Sequence, residues 1–416
     1  MLNRFDSKAA ADLAVQYPGL RPELLLRLYT SRLLGQETDL VLHGGGNTSV
    51  KIEEKDLTGR NLAVLYVKAS GTDLGLMRPN DLVPLDLAAL VRLESLAMLS
   101  DEDMANQLLT SRLRATDPAP SIDAWAHAFL PYRYMDHTHA DVILILTNQE
   151  RGSELVKEVL GPRVAVCPYT RPGFALGRAV SRVLADKPDA EAVVVLGHGI
   201  FTYSDQADIA YHRMIGYVDR AEKWLAAKIK PNSPGSPPPE KILARVAQIF
   251  RGTCAHASPD GSQRRFIVDI RSDPDLVAAS LDPAAAEWCR SGVLTPDHVI
   301  RTKNQALYLD EVPEDEELLQ GYIRKSVQEY LQDYECYFTN GRAVVCVGPP
   351  KPEDPYPRVC LAAGLGIMAL GYSRREARVA ADIAAHTFRA KMKARAIGQF
   401  QPISLEHIYD MEYWPL

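Results

Sequence analysis

Three histidines in this 416-residue chain have the spacing and local context of ligands to one metal ion. His137 and His139 lie on either side of Thr138, just before the apolar run 142–146. If that run is a strand, His-x-His at its start places both imidazoles on one face, within reach of the same ion. His198 follows a second apolar run and lies between two glycines, which let the backbone bend there.

Three imidazole ligands leave a fourth position open, the arrangement of a catalytic rather than a structural zinc site. Mn²⁺ or Co²⁺ would also accept three neutral nitrogens. Taken singly, each histidine has a plainer interpretation as a satisfied core or rim residue. All three histidines are expected at strand ends, and this shared position favours binding to one metal ion. The six cysteines show no Cys-x-x-Cys spacing, so we expect reduced thiols, without a zinc knuckle or a disulfide framework.

Two glycine-rich turns precede the histidines. The segments 43–51 and 68–73 combine flexible backbone with hydroxyl and amide donors, the groups that bind an oxyanion. Ordinary tight turns are the alternative. Three consecutive glycines, at 44–46, cost backbone entropy, and this cost favours a ligand-binding loop.

These motifs, in this order, resemble the class II aldolase/adducin family. They are Gly-Asn-Thr-Ser, Lys-Ala-Ser-Gly-Thr, Asp-His-Thr-His-Ala-Asp and Gly-His-Gly. Segments 294–303 and 410–416 also resemble the part of bifunctional rhamnulose-1-phosphate aldolase/alcohol dehydrogenases that joins the aldolase to a short-chain dehydrogenase. We therefore expect the aldolase part and this linking segment, without the dehydrogenase domain.

The resemblance implies roles for individual residues. The three histidines would be the zinc ligands. The substrate phosphate, or an equivalent anionic group, would be held by Asn47, Ser70, Gly71 and Ser121.

Asp123 stands where the family has a glutamate that acts as acid and base. An aspartate is shorter by one methylene, about 1.5 Å, and such a displacement of a proton-transfer group can cost on the order of 100-fold. Pro-Ser-Ile-Asp is also an ordinary helix start, with Ser121 as the cap. If Asp123 cannot reach the substrate, His127, one helical turn further on, is the fallback base.

The function implied by the resemblance is a zinc-dependent lyase. It would cleave or form a C–C bond in a phosphorylated or anionic hydroxy-carbonyl compound through a metal-stabilised enediolate. A metal-dependent decarboxylase or epimerase on the same fold is the first alternative. A non-catalytic, adducin-like interaction module is the second.

The elements that position these residues alternate between strands and helices. The first part predicts helices over 22–34, 88–99, 122–130 and 206–227 and strands over 63–67, 142–146 and 193–197. After the Pro-rich segment 231–240, the pattern predicts helices over 314–332 and 374–396 and strands over 343–347 and 358–363. We therefore predict a three-layer α/β/α domain over 1–230 and a smaller α/β domain over 241–416. Gly364-Leu-Gly366 lacks the rest of a dinucleotide fingerprint, so a nucleotide site is not favoured.

Within the second domain, His298 and Arg301 would add positive charge for an anionic substrate, unless they belong to a solvated loop. The net charge of −6 argues against a nucleic-acid binder. No apolar run reaches the roughly 18 to 20 residues of a membrane span, and the first residues show no signal region. We expect a cytoplasmic enzyme. The resemblance implies a homo-oligomer, a tetramer in many family members.

Overall fold

The computed structural model describes residues 1–229, 234–257, 261–345, 352 and 354–414. They form two compact units. The first holds Met1–Thr147 and Arg151–Ala227, and the second holds Asn148–Glu150 with the described residues from Lys228 onward. The division lies beside the Pro-rich segment 231–240, of which residues 231–233 lie outside the described part.

The first unit contains one seven-stranded sheet in the order β3-β2-β1-β4-β7-β6-β5. Its strands are β1 (Asn47–Lys55), β2 (Asn61–Lys68), β3 (Leu82–Asp86), β4 (Tyr134–Thr138), β5 (Val164–Cys167), β6 (Ala192–Val195) and β7 (Gly199–Ser204). Its helices are α1 (Ser7–Gln16), α2 (Pro22–Gly35), α3 (Leu87–Val91), α4 (Asp101–Thr110), α5 (Ala124–Phe129), α6 (Asp141–Thr147), α7 (Gly152–Leu160), α8 (Phe174–Asp186) and α9 (Ala207–Ala226). Neighbouring strands are antiparallel except for β5 and β6, which are parallel.

Helices cover both faces of this sheet. Helices α2 and α9 pack on one side, against β1, β4 and β7, and α5 and α8 pack against strands on the other. All four residues of β6 are buried, as expected for a Val-rich strand enclosed by two helical layers. The three-layer α/β/α prediction is confirmed.

The run 142–146 is a helix, so the prediction of a strand there is wrong. It forms most of α6, and every residue from Val142 to Thr147 is buried. A short apolar run enclosed on all sides shows neither strand nor helix periodicity, so its sequence does not separate the two. His137 therefore lies near the end of β4 and His139 directly follows this strand, instead of the pair opening a later strand.

A buried ion pair fixes α2 to the strand that carries His137. The Arg27 guanidinium lies 2.5 Å from an Asp136 carboxylate oxygen, and both side chains are fully buried. Arg27 also donates to the carbonyl oxygens of Ser49 and Met135, at 3.3 and 3.2 Å. One arginine thus joins α2, β1 and β4 directly beside the histidines.

Replacement of Arg27 by methionine is expected to destabilise the protein by about 3 to 5 kcal/mol, because it leaves the Asp136 carboxylate buried without a counter-ion. Burial already raises the pKa of Asp136. Urea unfolding of Arg27→Met measures this loss. The double variant Arg27→Met/Asp136→Leu removes both charges and should regain much of the stability. A loss below about 1 kcal/mol in the single variant would contradict a structural role for the pair.

The second unit contains a four-stranded sheet in the order β10-β13-β12-β11 and a short hairpin of β8 and β9. The strands are β8 (His256–Ala257), β9 (Gln263–Arg264), β10 (Ile267–Arg271), β11 (Leu307–Leu309), β12 (Val359–Ala362) and β13 (Gly366–Gly371). The helices are α10 (Glu240–Thr253), α11 (Pro274–Ser280), α12 (Ala285–Arg290), α13 (Val299–Thr302), α14 (Glu316–Val345), α15 (Arg374–Ala394) and α16 (Leu405–Glu412). Cys360 packs with the α10 and α14 side and Leu361 with the α15 side, so this unit is also α/β.

One prediction for the second unit is corrected. A strand was expected over 343–347, but α14 continues through residues 343–345. Residues 346 and 347 lie outside the described part. Val344 is exposed there, so its β-branched side chain has no sheet to pack on. Gly364 and Leu365 lie in the turn between β12 and β13, and Gly366 is the first residue of β13. Within the described residues, no helix is both long and apolar enough to cross a membrane. Five cysteines there are free thiols, and Cys346 lies outside that part.

Candidate active site

The three predicted ligands meet at one end of the central strands. His137 is in β4, His139 follows that strand, and His198 lies in the turn between β6 and β7. The ring centroids are 4.9 to 5.1 Å apart, and one nitrogen of each ring lies within 4.8 Å of the others. The Nε2 atoms of His137 and His139 are 3.1 Å apart. Nitrogens about 2.0 to 2.1 Å from a tetrahedral zinc lie about 3.3 to 3.4 Å from each other, so this spacing suits a shared ion.

The surroundings of His137 set its orientation. Its Nδ1 lies 3.1 Å from the carbonyl oxygen of Ile200, so this nitrogen donates and Nε2 carries the lone pair. The ring stacks on Phe201 at 3.9 Å. Burial and the two neighbouring histidines hold the pKa of His137 well below its usual value. A neutral imidazole with a fixed tautomer is the form that binds a metal.

The lack of space around residue 199 explains why a glycine follows His198. A β-carbon on Gly199 would lie 2.4 Å from the carbonyl oxygen of Thr138 and 3.1 to 3.2 Å from the rings of His137 and His139. Any larger residue would displace β4 or the rings. The glycine is therefore needed for close packing of the two histidine-bearing segments.

Asp123 lies beside the histidines, immediately before α5. Its Oδ2 is 4.0 Å from Nε2 of His137 and accepts a hydrogen bond of 2.8 Å from the amide of Asn47. Its Oδ1 is buried and has no hydrogen-bond partner among the described residues. Asp123 precedes α5 and its side chain makes no capping bond. The Ser121 hydroxyl accepts from the backbone N–H of Asp123 at 3.4 Å, as at a helix start, and also from the Asn47 amide at 3.1 Å.

The donor set therefore fits a divalent metal ion. Three imidazole nitrogens converge, and a carboxylate with one unsatisfied buried oxygen lies next to them. Orphaned buried oxygens are rare in folded proteins, and they are expected where a ligand or an ion completes the site.

His127 supports Asn47. One ring nitrogen of His127 lies 2.6 Å from the Ser49 hydroxyl and the other 2.5 Å from the side-chain oxygen of Asn47. The ring is buried, and both nitrogens are bonded to protein atoms. This arrangement does not fit the fallback role of His127 as a substrate base. It fixes which way the Asn47 amide points, so that its N–H groups face Asp123 and Ser121.

Because His127 is buried in this network, we expect the protein to lose stability as the pH falls. Burial lowers the pKa of His127 to about 3, against about 6.5 for an unfolded histidine. Between pH 3 and pH 6.5, His127 is protonated in the unfolded chain but neutral in the folded protein. The free energy of unfolding therefore falls by about 1.4 kcal/mol for each pH unit below 6.5. In urea unfolding between pH 7 and 4.5, His127→Gln should show a flatter pH dependence than the wild type. Parallel curves for the two proteins would contradict a neutral buried His127.

The two glycine-rich turns lie side by side. The Lys68 ammonium is buried and donates to the carbonyl oxygens of Gly44 and Thr72, both at 2.7 Å. Ser70 and Gly71 are exposed at the second turn. The backbone N–H of Ser70 is bonded to the Ala119 carbonyl, so Ser70 would act through its hydroxyl.

Two supporting residues were missed in the sequence. Ser49 and Lys68 lie within the quoted motifs, but their partners are distant in sequence or are backbone atoms. A buried position for Lys68 was suggested only by the apolar strand before it.

The remaining predicted residues lie in the second unit. His298 is buried in a short 3-10 turn, and Arg301 is exposed on α13. Their part in binding a substrate stays a prediction.

Known families and proteins match both parts of the chain. The family described as Class II Aldolase and Adducin N-terminal domain matches residues 27–225, and Aldolase class II, second domain matches residues 241–416. A Bacillus subtilis (strain 168) protein named Uncharacterized oxidoreductase YuxG is 30% identical over 417 residues. That match covers 98% of this chain and 59% of that protein, so this chain spans less than two thirds of the relative's length.

Solved structures also resemble the first unit. The N-terminal class II aldolase domain of a conserved protein from Thermoplasma acidophilum is 35% identical, with a TM-score of 0.48, over 54% of this chain and 99% of that one. A sugar-phosphate aldolase from Thermotoga maritima is 17% identical, with a TM-score of 0.37, over 50% and 97%. Because the two family matches together cover residues 27–225 and 241–416, the chain belongs to the class II aldolase and adducin family.

Proposed function

We propose that this protein is a metal-dependent lyase that cleaves or forms a C–C bond in a phosphorylated or otherwise anionic hydroxy-carbonyl compound. The observation that carries the proposal is the convergence of three histidine nitrogens beside a carboxylate with an unsatisfied oxygen. Zinc is the metal that we favour, with Mn²⁺ or Co²⁺ as the other candidates.

His137, His139 and His198 would hold the ion. A divalent metal held there would polarise a carbonyl group and stabilise negative charge on its oxygen. Class II aldolases typically depend on such an ion. Three neutral ligands preserve its full positive charge for the substrate.

Asp123 would move the proton at the carbon where the bond breaks. Its Oδ2 is held by Asn47, and its Oδ1 remains available for the substrate. A general acid or base in hydrogen-bond reach contributes about 10² to 10⁴ in rate. The bond from Asn47 keeps the carboxylate in place, and His127 keeps Asn47 in place.

The anionic end of the substrate would bind at the two turns. Ser70 offers an exposed hydroxyl, Gly71 an exposed backbone, and Lys68 holds the two turns together. Ser121 and Asn47 connect this region to Asp123. His298 and Arg301 in the second unit are proposed as further groups that bind an anionic substrate.

The presence of an aspartate in place of the family glutamate favours one alternative within the enzymes. A decarboxylase or an epimerase would use the same metal and turns but place the proton at another atom. We rank it second because the Asn47 bond and the open oxygen leave Asp123 fit for proton transfer.

The test is retro-aldol turnover on rhamnulose 1-phosphate, fuculose 1-phosphate and ribulose 1-phosphate, with released dihydroxyacetone phosphate as the readout. Metal content is measured on the same sample. Cleavage of one of these sugars by metal-loaded protein is the expected result. Bound metal without cleavage would reject the aldolase in favour of the decarboxylase or epimerase, and absence of metal would favour an interaction module.

A further inference from the structure

The second unit contains a small cavity that none of the roles above uses. It lies between α12, the segment 292–306, the start of β12 and α15. The polar groups that line it include Thr302, Asn304, Thr387 and Lys391. Its volume is about 30 Å³, room for about two water-sized groups.

Lys391 brings a buried ammonium to this cavity. Its side chain is 2% exposed, and Nζ donates to the carbonyl oxygens of Trp288 and Gly292, both at 2.6 Å. The Phe400 ring lies 5.0 Å away. No aspartate or glutamate lines the cavity. Carbonyl groups solvate a cation but do not neutralise it, and burial lowers the pKa of Lys391 to about 7.

Asn304 lines the same cavity with both of its polar atoms unsatisfied. The residue is 2% exposed, and neither Nδ2 nor Oδ1 has a hydrogen-bond partner among the described residues. Each such group costs about 1 to 3 kcal/mol when it stays unpaired. A β-carbon on Gly292 would lie 3.3 Å from Oδ1 of Asn304, so Asn304 faces the backbone segment that Lys391 also contacts.

The residue before Asn304 is strained. Lys303 has φ 64° and ψ 170°, a combination that only glycine adopts readily. Its ammonium is held by Glu412 at 3.1 Å and by the Tyr334 hydroxyl at 3.0 Å. A backbone conformation of this kind costs about 1 to 3 kcal/mol and persists only where the surrounding structure fixes it. Residues with such strained backbones cluster at ligand sites. The strain here lies at the end of the motif 294–303.

We propose that this cavity binds a small carboxylate such as acetate or glycolate. The Lys391 ammonium and the Asn304 amide N–H groups would donate to the carboxylate oxygens, and Oδ1 of Asn304 would accept from a ligand hydroxyl. A carboxylate supplies the missing counter-ion, and its two oxygens match the room for about two water-sized groups. None of the cavity's lining residues belongs to the histidine cluster, and the proposal does not depend on the lyase activity.

The test is calorimetric titration of the full chain with acetate and with glycolate at constant ionic strength, with chloride and inorganic phosphate as comparison anions. We expect saturable binding of a carboxylate to the wild type. Asn304→Asp is nearly isosteric and places a carboxylate next to Lys391. It should weaken binding at least about tenfold, and its melting temperature should be no lower than that of the wild type.

Lys391→Met should also abolish binding, whereas Lys325→Met, at an exposed lysine of α14, should leave it unchanged. Absence of carboxylate binding to the wild type would overturn the proposal, whatever the variants do. Equal affinity in Asn304→Asp would overturn it too. So would a crystal structure grown with acetate in which only water bridges Asn304 and Lys391.

Discussion

His139→Ala is expected to remove the bound metal and to lower lyase turnover by at least about 10³-fold. Loss of one of three ligands leaves two imidazoles, and the charge stabilisation of several kcal/mol that the metal supplies disappears with the ion. His139 follows β4 and, at 9% exposure, is the least buried of the three histidines, so the strand order should survive the change. Metal analysis, turnover and circular dichroism on the same preparation measure the three effects.

His212→Ala is the matched control for this variant. His212 is in α9, where its ring packs against Phe5 and is outside the metal group. It should keep both metal and turnover. If His139→Ala retains a full complement of metal, the three-histidine site is wrong.

Asp123→Asn is expected to lower turnover by about 10² to 10⁴ while metal content stays unchanged. The amide has nearly the same shape and can still accept from Asn47, but it cannot take up a proton. A fall in rate with intact metal separates proton transfer from metal binding. Equal turnover in Asp123→Asn and the wild type would exclude Asp123 as the acid or base.

Asp123→Glu tests the reach of the same group. The carboxylate is fixed by a 2.8 Å bond from Asn47, and an added methylene displaces it by about 1.5 Å. A loss on the order of 100-fold is expected, because this site is built around the shorter side chain. A higher rate in Asp123→Glu would instead show that the aspartate limits the reaction.

The convergence of the three histidines was predictable because strand alternation and turn chemistry are local properties. His137 and His139 point to one side since they are two residues apart at a strand end, and the glycines around His198 mark a turn. The wrong prediction of a strand over 142–146 did not affect the histidines, because β4 precedes that segment. The α/β fold class was also predictable, because the alternating strand and helix patterns are local properties of the sequence.

The roles of other residues depend on contacts between distant parts of the chain. His127 and Ser49 are 78 residues apart, and no local pattern shows that they bond. Helix α14 continues through a Val-rich segment because a propagating helix outweighs local strand propensity where no sheet is available. The unsatisfied amide of Asn304 depends on the packing of α12, β12 and α15 around it, which the sequence does not reveal.

Titration of metal-free protein with Co²⁺, followed by its visible absorption, tests the central claim most directly. Cobalt replaces zinc in such sites, and its spectrum reports the number and type of ligands. The account predicts one Co²⁺ per chain with a spectrum typical of nitrogen ligands, displaced by Zn²⁺ and absent in His139→Ala. Failure to bind Co²⁺, or an unchanged spectrum in that variant, would contradict a metal centre built from His137, His139 and His198.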